Sequence, residues 1–189
     1  MALEALETVL RTDPRPDPRH RIEHIGGELD LPRFDRLKRA GIIPVPTEPS
    51  RPYSEAGRAG PGGMPVVRYP YHTMLTMGFQ PPGNSDTGGS YGWNLNVINR
   101  LAMFVTRETQ AGGVDHPEEA ISVTQALRVL STYGAYAGFE EKTRGTLEAG
   151  KLADLLVLSE DPLTISANRL NQLKVDATII DGIVRYERR

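Results

Sequence analysis

The sequence predicts an α/β fold, and three observations carry that prediction. Over the first 45 residues, helically spaced leucines and short apolar runs alternate as helix, strand, helix, strand, the grammar of a parallel sheet. Two later stretches, residues 94–110 and 122–136, carry apolar stripes at helical spacing. After Gly145 the pattern changes to short β-rich runs and turns, closing on Asp181-Gly182 between two such runs.

Each element follows from local chemistry. Leu3, Leu6 and Leu10 fall on one face of a helix over residues 3–11, which the Pro-rich stretch from Asp13 to Pro18 ends. Residues 20–25 read as a short strand. Asp30 is a candidate N-cap, Pro32 suits a first turn, and Leu31, Phe34 and Leu37 line the helix that Gly41 closes. Residues 42–45 form a second short strand, and residues 46–65 a long loop of little periodicity. A helix is expected over residues 71–77 and a strand over residues 79–86, followed by the Gly-rich run DTGGSYG. Ser122 and Gln125 form a capping-box pattern before Ala126, Leu127 and Leu130. Strands are expected over residues 155–158, 175–180 and 183–186, with a turn at Asp161-Pro162. There is no internal repeat.

Composition bounds the function. The chain has 189 residues, 39% hydrophobic and 24% charged, which suits a soluble globular chain with a sizeable core. A net charge of -2 gives no reason to expect nucleic acid as a partner. No apolar run reaches membrane-span length, and residues 1–11 lack the basic and apolar regions of a signal peptide, so the expected location is cytoplasmic, without membrane association. The absence of cysteine excludes disulfides and thiolate metal sites, leaving His, Asp, Glu and Lys as metal ligands. Nine of the 19 glycines and nine of the 15 prolines fall between Pro44 and Gly92, with a second cluster from Asp13 to Pro18, which points to long shaped loops there.

The most specific stretch is GTLEAGKLADLLVLSEDPL, residues 145–163, followed by KVDATIIDGIVRYER. Together these resemble the C-terminal end of the amidohydrolase superfamily. Upstream, HRIEHIG (residues 20–26) is similar to the strand-six motif of amidohydrolase family 3, and GNSDTGG (residues 83–89) to its strand-eight motif. ISVTQALRVLSTYGAYAGFEE is similar to the late helix of that family. The resemblance implies the C-terminal part of a (β/α)8 TIM-type barrel over residues 1–144 and C-terminal strands of a composite β-sandwich over residues 145–189. It implies a metal-dependent hydrolase of carbon–nitrogen bonds in amide-type, non-peptide substrates, with zinc the expected divalent metal. His24 falls at a metal-ligand position. Asp86 falls where the family has an aspartate that touches metal and moves a proton. In such chemistry the metal lowers the pKa of its bound water, and the carboxylate takes the proton.

The sequence also departs from the family pattern. No His-x-His pair occurs, and the expected Lys and further His of the family site have no counterpart; two positions fall short of the three protein ligands usual at a catalytic zinc. The expectation is therefore of a chain beginning inside the barrel. Such a chain would be an incomplete part of a hydrolase of small amide or ester substrates. The alternative is an inactive fragment that self-associates as a homo-oligomer or complements an N-terminal partner chain. Pro81 and Pro82 fall inside the expected strand 79–86, where proline cannot donate to a ladder. Of the other histidines, His20 lies four residues from His24, roughly 13 Å along a strand and too far to share one metal. His116 reads as a solvated loop residue. His72, beside Tyr71, and Glu23 are the candidates for a rewired metal set. Ser85 lacks the G-x-S-x-G setting of an activated serine, and the Gly-rich run lacks the Gly-Lys-Ser/Thr of a phosphate loop. Lys151 and Asp154 read as structural, at the start of a sandwich strand.

Overall fold

The computed structural model describes residues 2–25, 31–47, 69–85, 96–108 and 112–189. The described part opens as expected. Helix α1 (Ala2–Thr12) is followed by β1 (Arg21–Glu23), α2 (Leu31–Arg39) and β2 (Ile43–Val45). Strands β1 and β2 pair in parallel, with Arg21 opposite Ile43, Ile22 opposite Pro44 and Glu23 opposite Val45. Both chains therefore leave the sheet at the same end. The candidate N-cap Asp30 lies outside the described residues, but the other end of α2 is resolved in detail. Gly41 adopts φ +63°. Its N–H donates to Lys38 O, and Ile42 N–H donates to Leu37 O, the pair of bonds that ends a helix on a left-handed residue. Leu37 and Ile42, which such a stop brings together, are both buried.

Helix α3 (Tyr71–Thr76) leads into residues 79–85, where a strand was expected and none forms. Pro81 and Pro82 supply no N–H to a neighbouring strand, and residues 79–85 join no ladder. Helix α4 (Val97–Thr106) begins with Asn96, whose side chain accepts from Ile98 N–H. The expected long helix over residues 122–136 is two helices, α5 (Val123–Leu130) and α6 (Thr132–Ala137), broken at Ser131. The Ser131 hydroxyl donates back to Leu127 O at 2.6 Å, a local bond that competes with the helix ladder. The capping box at the start of α5 is complete, with both Ser122 and Gln125 bonds made.

Strands β3 (Leu155–Leu158), β4 (Val175–Ile180) and β5 (Ile183–Glu187) form an antiparallel sheet in the order β3-β4-β5. The β4–β5 turn places Asp181 at φ +52° and Gly182 at φ +74°. Two positive φ values make the turn whose twist matches a two-residue hairpin. The main core gathers Phe34, Leu37, Tyr71, Met74, Ile98, Leu101, Phe104, Ala126 and Val129. Leu170 and Leu173 join it from the 3-10 helix Ala167–Gln172 and the residue after it, against α4. No helix of the described residues is long and apolar enough to cross a membrane.

Candidate functional site at the strand ends

Because β1 and β2 are parallel, Glu23 and His24 emerge beside Val45, Pro46 and Thr47. His24 is exposed and turns the chain with φ +57°, directly after the last paired residue. This left-handed step ends the strand's alternation, so the His20–His24 spacing is not that of one continuous strand. Strand β2 is buried along its length. Its Ile43 and Val45 pack with Ala137 from α6, which leaves β2 a fixed rail against which the strand end is placed.

The 81–85 segment reaches the same end. Tyr71 is fully buried, edge-on to Phe104 with ring centroids 4.7 Å apart. Its hydroxyl lies 3.2 Å from Pro46 O and 3.4 Å from Pro82 O, between the end of β2 and the segment beside it. Gly83 N–H donates to Val129 O of α5 at 3.0 Å. Asn84 then extends its side-chain amide to Glu23 Oε2 at 3.5 Å, the long limit of a hydrogen bond. Glu23, His24, Thr47, Asn84 and Ser85 thus come from three separate stretches to one end of the sheet. Asp86 lies outside the described residues.

Two buried charged groups brace this end. Arg107 is 1% exposed. Its guanidinium donates to Asp115 O at 2.9 Å and to Tyr69 O at 3.2 Å. Burial pushes that guanidinium below its ordinary pKa, while Asp115 pulls the other way. Glu119 is also buried; it accepts from Thr73 N–H at 2.9 Å and from the Thr73 hydroxyl. Together they clamp residues 69–73, and so Tyr71. At the opposite end of β1, Arg19 stacks 3.9 Å from the Tyr136 ring and donates to Tyr136 O at 2.7 Å. Its bonds to Asp17, then Glu141, raise its pKa, and Glu141 is in turn held below the usual carboxylate range.

Of the remaining candidates, His116, Lys151 and Asp154 have local partners. His116 bonds Glu118 at 2.8 Å in a surface loop. His72 is exposed on α3. Lys151 donates to the Thr146 hydroxyl at 2.6 Å and pairs with Glu148 at 2.9 Å. Asp154 accepts from Asp181 N–H at 2.9 Å, tying the start of β3 to the β4–β5 turn. A cavity of about 660 Å³ lies between α4, α5 and β3–β4, lined by Ile98, Leu101, Leu127, Leu155 and Ile179. None of the strand-end residues lines it. Its polar wall, Glu140, Arg144 and Asp154, is internally paired.

Among the described residues, no group of three or more His, Asp or Glu converges to hold a metal. The described residues therefore do not by themselves fit a metal centre with three protein ligands. His24 is the described candidate at the strand ends. The sequence alone did not single out Tyr71 or the Asn84–Glu23 contact. The signal available was the Pro-Pro pair: a segment without donors must be held by a donor from elsewhere.

The chain is 43% identical over 121 residues to an N-substituted formamide deformylase of Arthrobacter pascens, a match covering 64% of this chain and 22% of that protein. A zinc-bound adenosine deaminase from Xanthomonas campestris shares the fold with a TM-score of 0.65 at 16% identity, covering 98% of this chain and 44% of that one. An amidohydrolase from Thermotoga maritima MSB8 does so at 0.51 and 19%, covering 96% and 46%. The chain thus spans less than half the length of these proteins. The Amidohydrolase family profile matches residues 1–186, end to end through the strand-end motifs and the C-terminal sheet, and the chain belongs to that family.

Proposed function

We propose that this chain is the C-terminal part of a metal-dependent hydrolase that cleaves carbon–nitrogen bonds of small amide-type substrates, N-substituted formamides first among them. The observation that carries the reading is the 43% identity to the formamide deformylase. In this reading residues 1–144 are the second half of a (β/α)8 barrel and residues 145–189 belong to a composite β-sandwich. The parallel β1–β2 pair and the antiparallel β3-β4-β5 sheet support that division. His24 is the metal ligand, Asp86 the second ligand and proton carrier, and zinc the metal. Support for His24 comes from its position at the end of a parallel strand, where barrel active sites are built. The described residues hold too few ligands for a complete site, so further ligands must come from elsewhere in the protein.

The test is direct. The purified chain is exposed to zinc, desalted and assayed for metal content and for release of formate and amine from an N-substituted formamide, beside His24→Ala. About one zinc per chain, lost in His24→Ala, is the expected result for the ligand assignment. With the upstream part of the protein supplied, formate release that is lost in His24→Ala and in Asp86→Asn is expected for the activity. Zinc retained equally by His24→Ala would remove His24 from the site.

A second reading is favoured by a specific observation. The β3-β4-β5 sheet exposes Ile180, Ile183, Val184 and Tyr186. Apolar surface of this kind suits a chain that self-associates, or that complements an N-terminal partner chain, and is inactive alone. Neither bound zinc nor formate release from the isolated chain, with both restored on adding an upstream partner chain, would select it.

A further inference from the structure

The segment that brings Asn84 and Ser85 to the strand ends has an unusual problem of attachment. In a parallel sheet each strand is fixed by N–H donors to its neighbour. Here Pro81 and Pro82 are consecutive and have no N–H, and residues 79–85 form no strand. Beside the Gly83 bond to α5 and the Asn84 contact with Glu23, one buried side chain among the described residues ties the segment toward β2. The Tyr71 hydroxyl lies between Pro46 O, just past β2, and Pro82 O. Both acceptors are carbonyls, so the hydroxyl must be the donor, and its single hydrogen serves two oxygens. The ring is fully buried and braced edge-on by Phe104, so the hydroxyl is held in place rather than free to follow the segment. Arg107 and Glu119, gripping Tyr69 and Thr73, fix the backbone on either side of it.

We propose that Tyr71 is a positioning residue: its hydroxyl replaces the missing ladder bonds and sets the register of residues 82–85 against the end of β2. Its consequence for catalysis rests on the strand-end reading proposed above. A side chain that sets register acts on the chemistry through Asn84 and Ser85, without touching substrate. Misplacement of about an ångström costs catalytic rate steeply while leaving substrate binding largely intact.

Tyr71→Phe removes the hydroxyl and keeps the ring against Phe104. The measurement is amide hydrogen exchange on the full chain, read at Gly83, Asn84 and Ser85. Exchange there should accelerate about three- to tenfold, the range expected for loss of one net hydrogen bond, with α4 and β4 unchanged. Unchanged exchange at 83–85 would overturn the proposal. Protection lost throughout the chain would overturn it too, since the hydroxyl would then support the core in general. Where the wild-type chain, alone or with an upstream partner, releases formate, Tyr71→Phe should lower kcat about tenfold with KM unchanged. A raised KM at constant kcat would refute the positioning role. If the wild type hydrolyses no formamide in either form, the functional reading fails on that result, while the exchange rates still decide the register.

Discussion

At the scale of single residues, the family markers around Gly145 are explained by packing. Gly145 has φ +93°, and a Cβ built there would stand 2.7 Å from the Ala135 Cβ and 3.4 Å from Thr132 Cα. The Thr132 hydroxyl also donates to Gly145 O at 3.1 Å. Glycine is thus required twice: for its backbone conformation and for close approach to α6. Gly145→Ala should destabilise the chain by about 2 kcal/mol or more, combining left-handed strain with overpacking. A urea denaturation midpoint and slope would report it. A loss under about 0.5 kcal/mol, the ordinary range for surface substitutions, would mean the backbone moves aside freely. Lys151 and Asp154 behave likewise. Their bonds to Thr146, Glu148 and the Asp181 amide hold the turn and the hairpin together, which explains a strong sequence signature without a place in the chemistry.

At the scale of elements, the clearest sequence signals are those with a local mechanism. The Ser122/Gln125 capping box, the Gly41 helix stop and the Asp181-Gly182 turn all form as the residues dictate. Each depends on neighbours within a few positions, so the sequence displays it. The expected strand over residues 79–86 does not form in its described part, because its prolines remove donors a strand needs, and tertiary contacts through Tyr71, Val129 and Glu23 place the segment instead. The break at Ser131 was equally hidden, since it hangs on a hydroxyl returning to Leu127 O and on packing against Gly145. The end of β1 that carries His24 was legible from its motif, while the metal-ligand role of His24 is the proposal made above. Tyr71, Arg107 and Glu119 were not, since their partners lie far off in sequence. The capping box gives a quantitative test. Ser122→Ala should cost about 1 kcal/mol. Adding Gln125→Ala should cost less than the sum of the two single changes, because each bond stabilises the same helix end. Strict additivity in paired urea melts would show that the two bonds act separately.

At the scale of the whole molecule, the question is what the C-terminal sheet rests against. Strand β5 is exposed along its length, and both β3 and β5 are edges of the described sheet. Ile183 and Val184 are about half exposed, at 52% and 56%, and Leu147 is 77% exposed. An edge strand offers unpaired N–H and C=O groups beside these side chains, which is a template for pairing with another chain. The chain studied alone should therefore self-associate, with a sedimentation coefficient that rises with concentration. Val184→Lys places a charge on the edge strand and should shift the distribution toward the single chain, as edge charges do elsewhere. Its fold should survive, because Val184 contributes little to the core. The change is thus separable from unfolding by an unaltered far-ultraviolet circular dichroism spectrum. A coefficient matching one chain at every concentration would mean that the exposed sheet does not drive association. Association that persists undiminished in Val184→Lys would move the contact away from β5, to the β3 edge or the parallel β1–β2 pair.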